Sequence, residues 1–547
     1  MSDWLTAPAT HEVRNQAPPR TDIDEYAAHV ALRDAVAVFA PGADQGRLHE
    51  IGRHVGSARF QHDALLANTV TPVLHTHDRW GHRVDAVEFH PAYHAIMGHS
   101  IARGLHTSAW ADPGPGANAT RAAGFLLVSH VEAGHGCPVS MTHAAVPALR
   151  RSPELAQWWE PKLLSTHYDP DLRDPATKSG VIFGMAMTEK QGGSDVRANT
   201  TVATPRGEGT YWLRGHKWFC SAPQSDAFLV LAQAPEGLSC FLVPRVRPGG
   251  ERNPFFIQRL KDKLGNKSNA SSEIEFDETV GWLVGEPGRG VRTIIEMVNR
   301  TRLDCVIGSA AGMRQGVAEA AWHARHRMAF GALLADQPAM RAVLADLHLE
   351  AEAATWTALA LAAAHDDESA SAQAFRRLAV AVSKYWVCKR GPHHAYESLE
   401  CLGGNGYTEA FPMARRYREQ PVLAVWEGSG NVIALDVLRA LSREPESLAA
   451  FDAEVSAAAG RHEFFDAHLH RTRDLLRRAA ADPGAAAGGA RRLVEALALA
   501  YQASVLLQHA PAPVAEAFCL ARLGPDRSLE YGALPDGIPI EALLERA

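Results

Sequence analysis

Few cysteines and few aromatics stand out first. Only seven of 547 residues are cysteine, at 137, 220, 240, 305, 388, 401 and 519, and no two form a C-x-x-C pair. That odd, scattered set gives no disulfide framework and no zinc knuckle, and predicts reduced thiols in a cytoplasmic protein. Aromatics make up 7% of the chain. Long apolar runs are missing too. A stretch such as "ATWTALALAAAH" (354–365) stops well short of the ~20 residues that span a bilayer, so no membrane segment is expected. The opening "MSDWLTAPATHEVRNQ" has no basic start followed by an apolar block, which predicts no secretory signal. A basic surplus is also lacking: the formal charge is −7, which argues against whole-molecule attraction to nucleic acid or an anionic surface.

What remains is ordinary globular material, 46% apolar and 21% charged, in a chain too long for one core. Residues 1–180 read as mostly helical. From 181 to 285 short β-branched and aromatic runs take over, "GTYWLRGHKWFCS", "DAFLVLAQ", "LSCFLVPR" and "SSEIEFDE", broken by Gly and Pro, which predict a small β domain. Helical periodicity returns from 286 to 442. Residues 443–547 form a further helical extension, interrupted by "ADPGAAAGGA" (481–490), which reads as a loop. The expected fold class is a mostly helical α+β multidomain chain without the βαβ alternation of a parallel sheet.

Five stretches carry candidate chemistry. "GMAMTEKQGGSDVRANTT" (184–201) sets tandem glycines beside Thr188 and Ser194, a loop whose free N–H groups could cradle a phosphate or a ring edge. "KWFCS" (217–221) puts an aromatic two residues before a hydroxyl on a strand, as a cover for a flat ring would. "VWEGSGNVIALDVLRAL" (425–441) places Glu427 ahead of an apolar helix, where dipole and burial pull its pKa in opposite directions, as suits a general base. "CLGGNGYTEAFP" (401–412) fails as a dinucleotide fingerprint because a helical pattern precedes it, and reads as a loop between helices. "HRMAFG" (326–331) ends a helix with Arg327 and Phe330. Each also has an ordinary structural reading as a turn, a core strand or a solvated helix end. His90 and His94 could meet on one helical face, but no third ligand falls at convincing spacing, so no metal is expected.

In this order the five stretches resemble the acyl-CoA dehydrogenase flavoproteins, and most closely their alkylation-response, AidB-type branch, from about residue 11 to 440. The resemblance implies FAD. Met185, Thr188, Gln191, Gly192, Gly193 and Ser194 would line it, and Phe219, Cys220 and Ser221 would cover its ring. Val425 and Asn431 would run past it, while Arg327 and Phe330 would reach a neighbouring subunit's cofactor in a homotetramer. Glu427 matches the base that takes the α proton of an acyl thioester, of isovaleryl-CoA type, while hydride leaves the β carbon. Arg302 matches an arginine near the substrate channel. Glu400 stands where the family's usual members have Gln.

That branch is also implicated in DNA binding through its C-terminal region, and here the charge signal is mixed. Residues 443–547 hold 11 Arg and no Lys against 15 Asp plus Glu. Yet "HLHRTRDLLRR" groups Arg471, Arg473, Arg477 and Arg478, which could meet the phosphates of double-stranded DNA. A metabolic short- or branched-chain dehydrogenase with no DNA role is the alternative.

Overall fold

The structure is a computed structural model and describes residues 10–547; the first nine, including most of the stretch read for a signal, lie outside it. Helices open the chain, and their starts follow from capping side chains. Asp44 accepts from the Arg47 amide (3.1 Å) ahead of Gln45–Gly56, and Ser57 from the Phe60 amide (3.2 Å) ahead of Ala58–Thr69. Helices Ala117–Ser129 and Gly136–Leu149 are buried almost throughout, as their unbroken apolar faces require. Within the segment expected to be mostly helical stands an antiparallel hairpin, β1 (Val73–His77) with β2 (Arg83–Glu88). Its polar, half-exposed residues gave no alternating apolar signal.

The β domain holds seven strands: β3 (Phe183–Ala186), β4 (Val202–Gly207), β5 (Thr210–Ser221), β6 (Ala227–Ala234), β7 (Gly237–Pro244), β8 (Phe255–Leu260) and β9 (Ser271–Val284). Antiparallel pairing runs β6–β7–β9–β5–β4, and β4 returns to β6 through one parallel pair, Val202 with Gln233, closing a small barrel. Closure explains the apolar run of β6. Phe228, Val230 and Ala232 pack inside against Phe241, Phe255 and Phe276. Leu229 and Leu231 face outward against Leu149 and Trp159 of the helical domain.

A 37-residue helix, Gly290–His326, then crosses the molecule, and Pro338–Ala363 and Ala370–Glu400 pack along it. The segment 413–443, apolar enough on average to suggest a span, is broken at Trp426–Ser429 into two helices of 13 and 14 residues. Neither reaches the ~20 residues a bilayer requires.

The C-terminal region packs onto this bundle within one continuous core, with Phe465, Tyr501 and Phe518 buried. Arg522 bonds Asp346 (2.5 Å) and Glu350 (3.1 Å), and Arg546 bonds Glu352 (3.1 Å). The loop expected at 481–490 is instead the first turns of helix Pro483–His509. Asp482 accepts from the Ala485 amide (2.9 Å), and proline sits where its missing N–H costs nothing. Capping outweighed the glycine content.

Candidate functional site

The turn that breaks the 413–443 segment carries Glu427. Its backbone is left-handed (φ 55°), a strained conformation for a residue with a Cβ, and Gly428 follows at φ 106°. Three side chains hold the turn. Lys384, buried on the adjacent helix, donates to the carbonyls of Trp426 and Gly428 (2.7 Å each). Arg302 donates to the Glu427 carbonyl (3.0 Å) and to Asp436 (2.9 Å), which also pairs with Arg377. The Thr301 hydroxyl donates to the Glu427 carboxylate at 2.6 Å. Burial raises the pKa of this half-buried acid above its ordinary value, against the pull of Thr301, Arg302 and Lys384. An ionisable group with its two influences opposed is what proton abstraction near neutral pH requires.

Glu427 lines a narrow cavity of ≈ 70 Å³ between Gly136–Leu149, the long helix and Met413–Val425. Met185, Cys137 and Cys305 line it too. Thr301, Cys305, Gly308, Gly312 and Gln315 recur on it every three or four residues, so the cavity follows one face of the long helix.

The glycine loop sits on β5. The Trp218 amide donates to the Thr188 carbonyl (2.9 Å). Glu189, fully buried, takes Lys217 (2.8 Å) and the Thr200 and Thr201 amides (2.6 and 3.1 Å). Beyond that anchor Gly192, Gly193 and Ser194 are exposed. A Cβ on Gly193 would come within 2.5 Å of the Thr188 hydroxyl oxygen, so the backbone lies against that hydroxyl as a cradle does. Phe219 is half exposed beside the Lys261 ammonium (4.7 Å from the ring), and Ser221 reaches Ser271 (3.2 Å). A half-exposed aromatic ring, hydroxyls and the exposed backbone at 193–194 suit a flavin ring, while the Gly192 amide is spent on the Glu189 carbonyl (3.0 Å).

Some sequence-derived assignments change. Strand alternation sends Cys220 to the opposite face from Phe219. Its thiol lies in the barrel core, pushed up to about 12 by burial, and cannot cover a ring. Gln191 uses its side-chain amide inward, on Glu189 (2.8 Å) and the Ala198 carbonyl (3.2 Å). Arg302, expected at the substrate, is committed to the Glu427 turn. The Asn431 side-chain amide oxygen accepts from Arg491 of the C-terminal region (2.7 Å), a contact no local pattern announces, and Val425 is exposed. Arg327 and Phe330 sit on a hairpin past the end of the long helix. About 39 Å of helix separates them from Thr301. Arg327 bonds the Asn15 carbonyl and Phe330 is fully exposed.

The arginine group fares differently. Arg473 forms two bonds to Asp452 (2.9 and 3.0 Å), Arg477 pairs with Asp474, Arg478 donates to the Asp474 carbonyl (3.4 Å) and Arg471 to that of Leu523 (3.4 Å). His90 caps its own helix through the Ala92 amide (3.1 Å). Among the described residues no three His, Cys, Asp or Glu side chains gather as a metal site. Thr301 and Lys384 were missed by sequence reasoning. Thr301 adjoins the Arg302 that was noticed, and nothing local marks Lys384.

Fold and site together define an acyl-CoA dehydrogenase-type flavoprotein, and comparison with known families agrees. Residues 15–170 match the adaptive response protein AidB N-terminal domain, 184–279 the acyl-CoA dehydrogenase middle domain and 288–442 its C-terminal domain. The chain belongs to the acyl-CoA dehydrogenase family, FAD-dependent oxidoreductases acting on CH–CH bonds. It is 43% identical over 517 residues to the putative acyl-CoA dehydrogenase AidB of Escherichia coli, covering 94% of each chain. Acyl-CoA dehydrogenase family member 11 of Caenorhabditis elegans is 30% identical over 77% of this chain and 70% of its own. The structure of C. elegans ACDH-11 in complex with C11-CoA superposes with a TM-score of 0.86 at 25% identity, over 97% of both chains.

Proposed function

We propose that the chain oxidises an acyl-CoA thioester between Cα and Cβ, with Glu427 as the base. The carrying observation is Glu427 on a strained turn fixed by Thr301, Arg302 and Lys384, its carboxyl group at a cavity that runs beside the long helix. FAD, when bound, supplies the two-electron acceptor for the β hydrogen. Met185, Thr188, the 192–194 backbone, Phe219 and Ser221 would hold its ring. The chain's own part is proton chemistry and placement. The Glu427 carboxylate takes the α proton and becomes the neutral acid that burial favours, while the Thr301 hydroxyl steadies the ionised form beforehand.

From Thr301 to Gly312 the cavity follows about 16 Å of helix, which supports a linear chain on the order of ten carbons rather than a short branched one. A C. elegans relative solved with C11-CoA is consistent with that length. The test is anaerobic titration of the yellow protein with an acyl-CoA series. Wild type bleaches with medium chains and Glu427→Gln does not; retained bleaching by Glu427→Gln would place the base elsewhere.

Self-association as a homotetramer in the cytoplasm is the family-based expectation, and the fully exposed Phe330 on its hairpin is the residue to probe for it. Light scattering on wild type and Phe330→Ala tests it. A role in the alkylation response with binding to double-stranded DNA is supported by the relationship to AidB and opposed by the paired arginines of 471–478. Salt-dependent DNA binding that falls on charge reversal at Arg473 and Arg477 would favour it.

A further inference from the structure

The bond between Asn431 and Arg491 joins two parts of the chain that the family pattern keeps apart. Asn431 lies in the first turn of helix Gly430–Arg443, which follows the Glu427 turn. Arg491 belongs to the C-terminal extension, beyond the matched family domain that ends at 442. Its helix, Pro483–His509, packs against Gly430–Arg443 and Ala370–Glu400. A guanidinium can only donate, so the 2.7 Å bond orients the Asn431 amide. The amide oxygen turns to Arg491 and its NH2 group is left free to meet an acceptor.

Positive charge gathers at the same turn. A Cβ built on Gly430 would lie 3.2 Å from the Lys389 ammonium and 3.6 Å from Arg491 Nη2. Both cations are exposed. Burial first, then Arg491 and Lys384, hold Lys389 below its ordinary pKa, and no carboxylate is among the groups acting on it. Ser429 gives the helix no side-chain cap, which leaves the amides of its first turn without that partner. The arginines of the preceding helix differ, since Arg473 pairs with Asp452 and Arg477 with Asp474. Cations that converge without an acid repel one another until an anion comes between them.

We infer that the C-terminal extension takes part in holding FAD: Arg491 is a positioning residue that presents the Asn431 NH2 group to the cofactor and, with Lys389, supplies positive charge for its diphosphate. The inference rests on FAD running past Asn431, as the family implies, and it is independent of the proton chemistry given to Glu427. Diphosphate oxygens accept hydrogen bonds and carry negative charge. An amide NH2, uncapped helix amides and two cations are the partners they call for. The riboflavin half of the cofactor has no charge for these groups to meet.

The test compares full-length wild type with Arg491→Gln, Lys389→Gln and the double variant. Each is freed of FAD and titrated with FAD or with riboflavin, which lacks the phosphates, and flavin fluorescence reports binding. Arg491→Gln should weaken FAD by about fivefold at low salt, as loss of one exposed charged contact implies, and the double variant should weaken it further. Riboflavin affinity and the melting temperature of the FAD-free protein should not move, because both side chains lie at the surface. Salt is the second reading: raising it from about 0.05 to about 0.5 M should shrink the gap between wild type and variants. Arg491→Lys, which keeps the charge and a donor, should recover most of the loss. Equal weakening of FAD and riboflavin, or a gap that salt leaves unchanged, would show that Arg491 merely packs the turn and would overturn the inference. So would a double variant that binds FAD as wild type does. No acyl-CoA enters the measurement, so either result leaves the assignment of Glu427 to be judged by bleaching.

Discussion

Thr301 offers the sharpest check on how Glu427 works. Among the described residues its hydroxyl is the one side-chain hydrogen bond to that carboxylate, at 2.6 Å in a half-buried setting. A hydrogen bond to a charged group is worth about 1.5 kcal/mol at the low end, and one pKa unit corresponds to about 1.4 kcal/mol. Thr301→Val keeps the shape and removes the donor. The ionised form loses its stabilisation, so the pKa, already raised by burial, rises further. The base must be ionised to take the α proton. The acid limb of the bleaching rate therefore moves to higher pH, and well below it the variant runs about tenfold slower than wild type. Above both pKa values the two converge. Thr301→Ser, which retains the hydroxyl, should follow wild type, whereas a merely structural role would slow Thr301→Val equally at every pH. Stopped-flow bleaching across pH under nitrogen reads this directly. Superimposed profiles, or an acid limb shifted toward lower pH, would refute the assignment of Glu427 as a base tuned by Thr301.

Other consequences can be checked alongside. Lys384→Met strands the Trp426 and Gly428 carbonyls, with an expected loss of about 2 kcal/mol, read as faster thermal inactivation and slower bleaching together. Gly193→Ala drives a methyl into the Thr188 hydroxyl and should weaken FAD retention at least about tenfold while leaving the circular dichroism spectrum unchanged. Glu132 accepts from Asn68 (3.0 Å), the Gly134 and His135 amides (3.1 and 2.8 Å) and Ser268 (2.6 Å), and in spite of burial these partners with the His135 ring hold its pKa down to about 2. A folded pKa below the ordinary 4.5 stabilises the protein above that pH, and the stabilisation is lost as pH falls from about 4.5 toward 2. The melting-temperature gap between wild type and Glu132→Gln should therefore narrow on acidification; a gap constant from about pH 6 to pH 3 contradicts the linkage.

Local pattern carried far in this chain. The strands β5, β6, β7 and β9, the long helices and the order of domains follow from periodicity, which depends only on which face of an element is buried. The position of Glu427 before an apolar helix was also plain. Signals failed where the deciding partner was distant. The β1–β2 hairpin mixes polar and apolar residues, and its buried face is set by Leu74 and Val87 packing on the distant barrel core. The helix at 483 is set by a cap and packing rather than by glycine content. Cys220 looked like part of a ring cover because "KWFCS" was read as a unit, when alternation gives its thiol to the barrel core.

By itself the sequence determined the family and singled out the glycine loop and Glu427 as candidates, because those are written in contiguous residues. Tertiary structure alone decided what holds that acid and which residues line the cavity beside it. Thr301 and Lys384 lie on two different helices and Glu427 on the turn between two others, up to 126 positions away. His130, Gln315 and Gln420 meet only because the long helix crosses the molecule between the domains that carry the other two. Hydrogen bonds and cavities are properties of proximity in space, and a linear pattern records proximity only within an element.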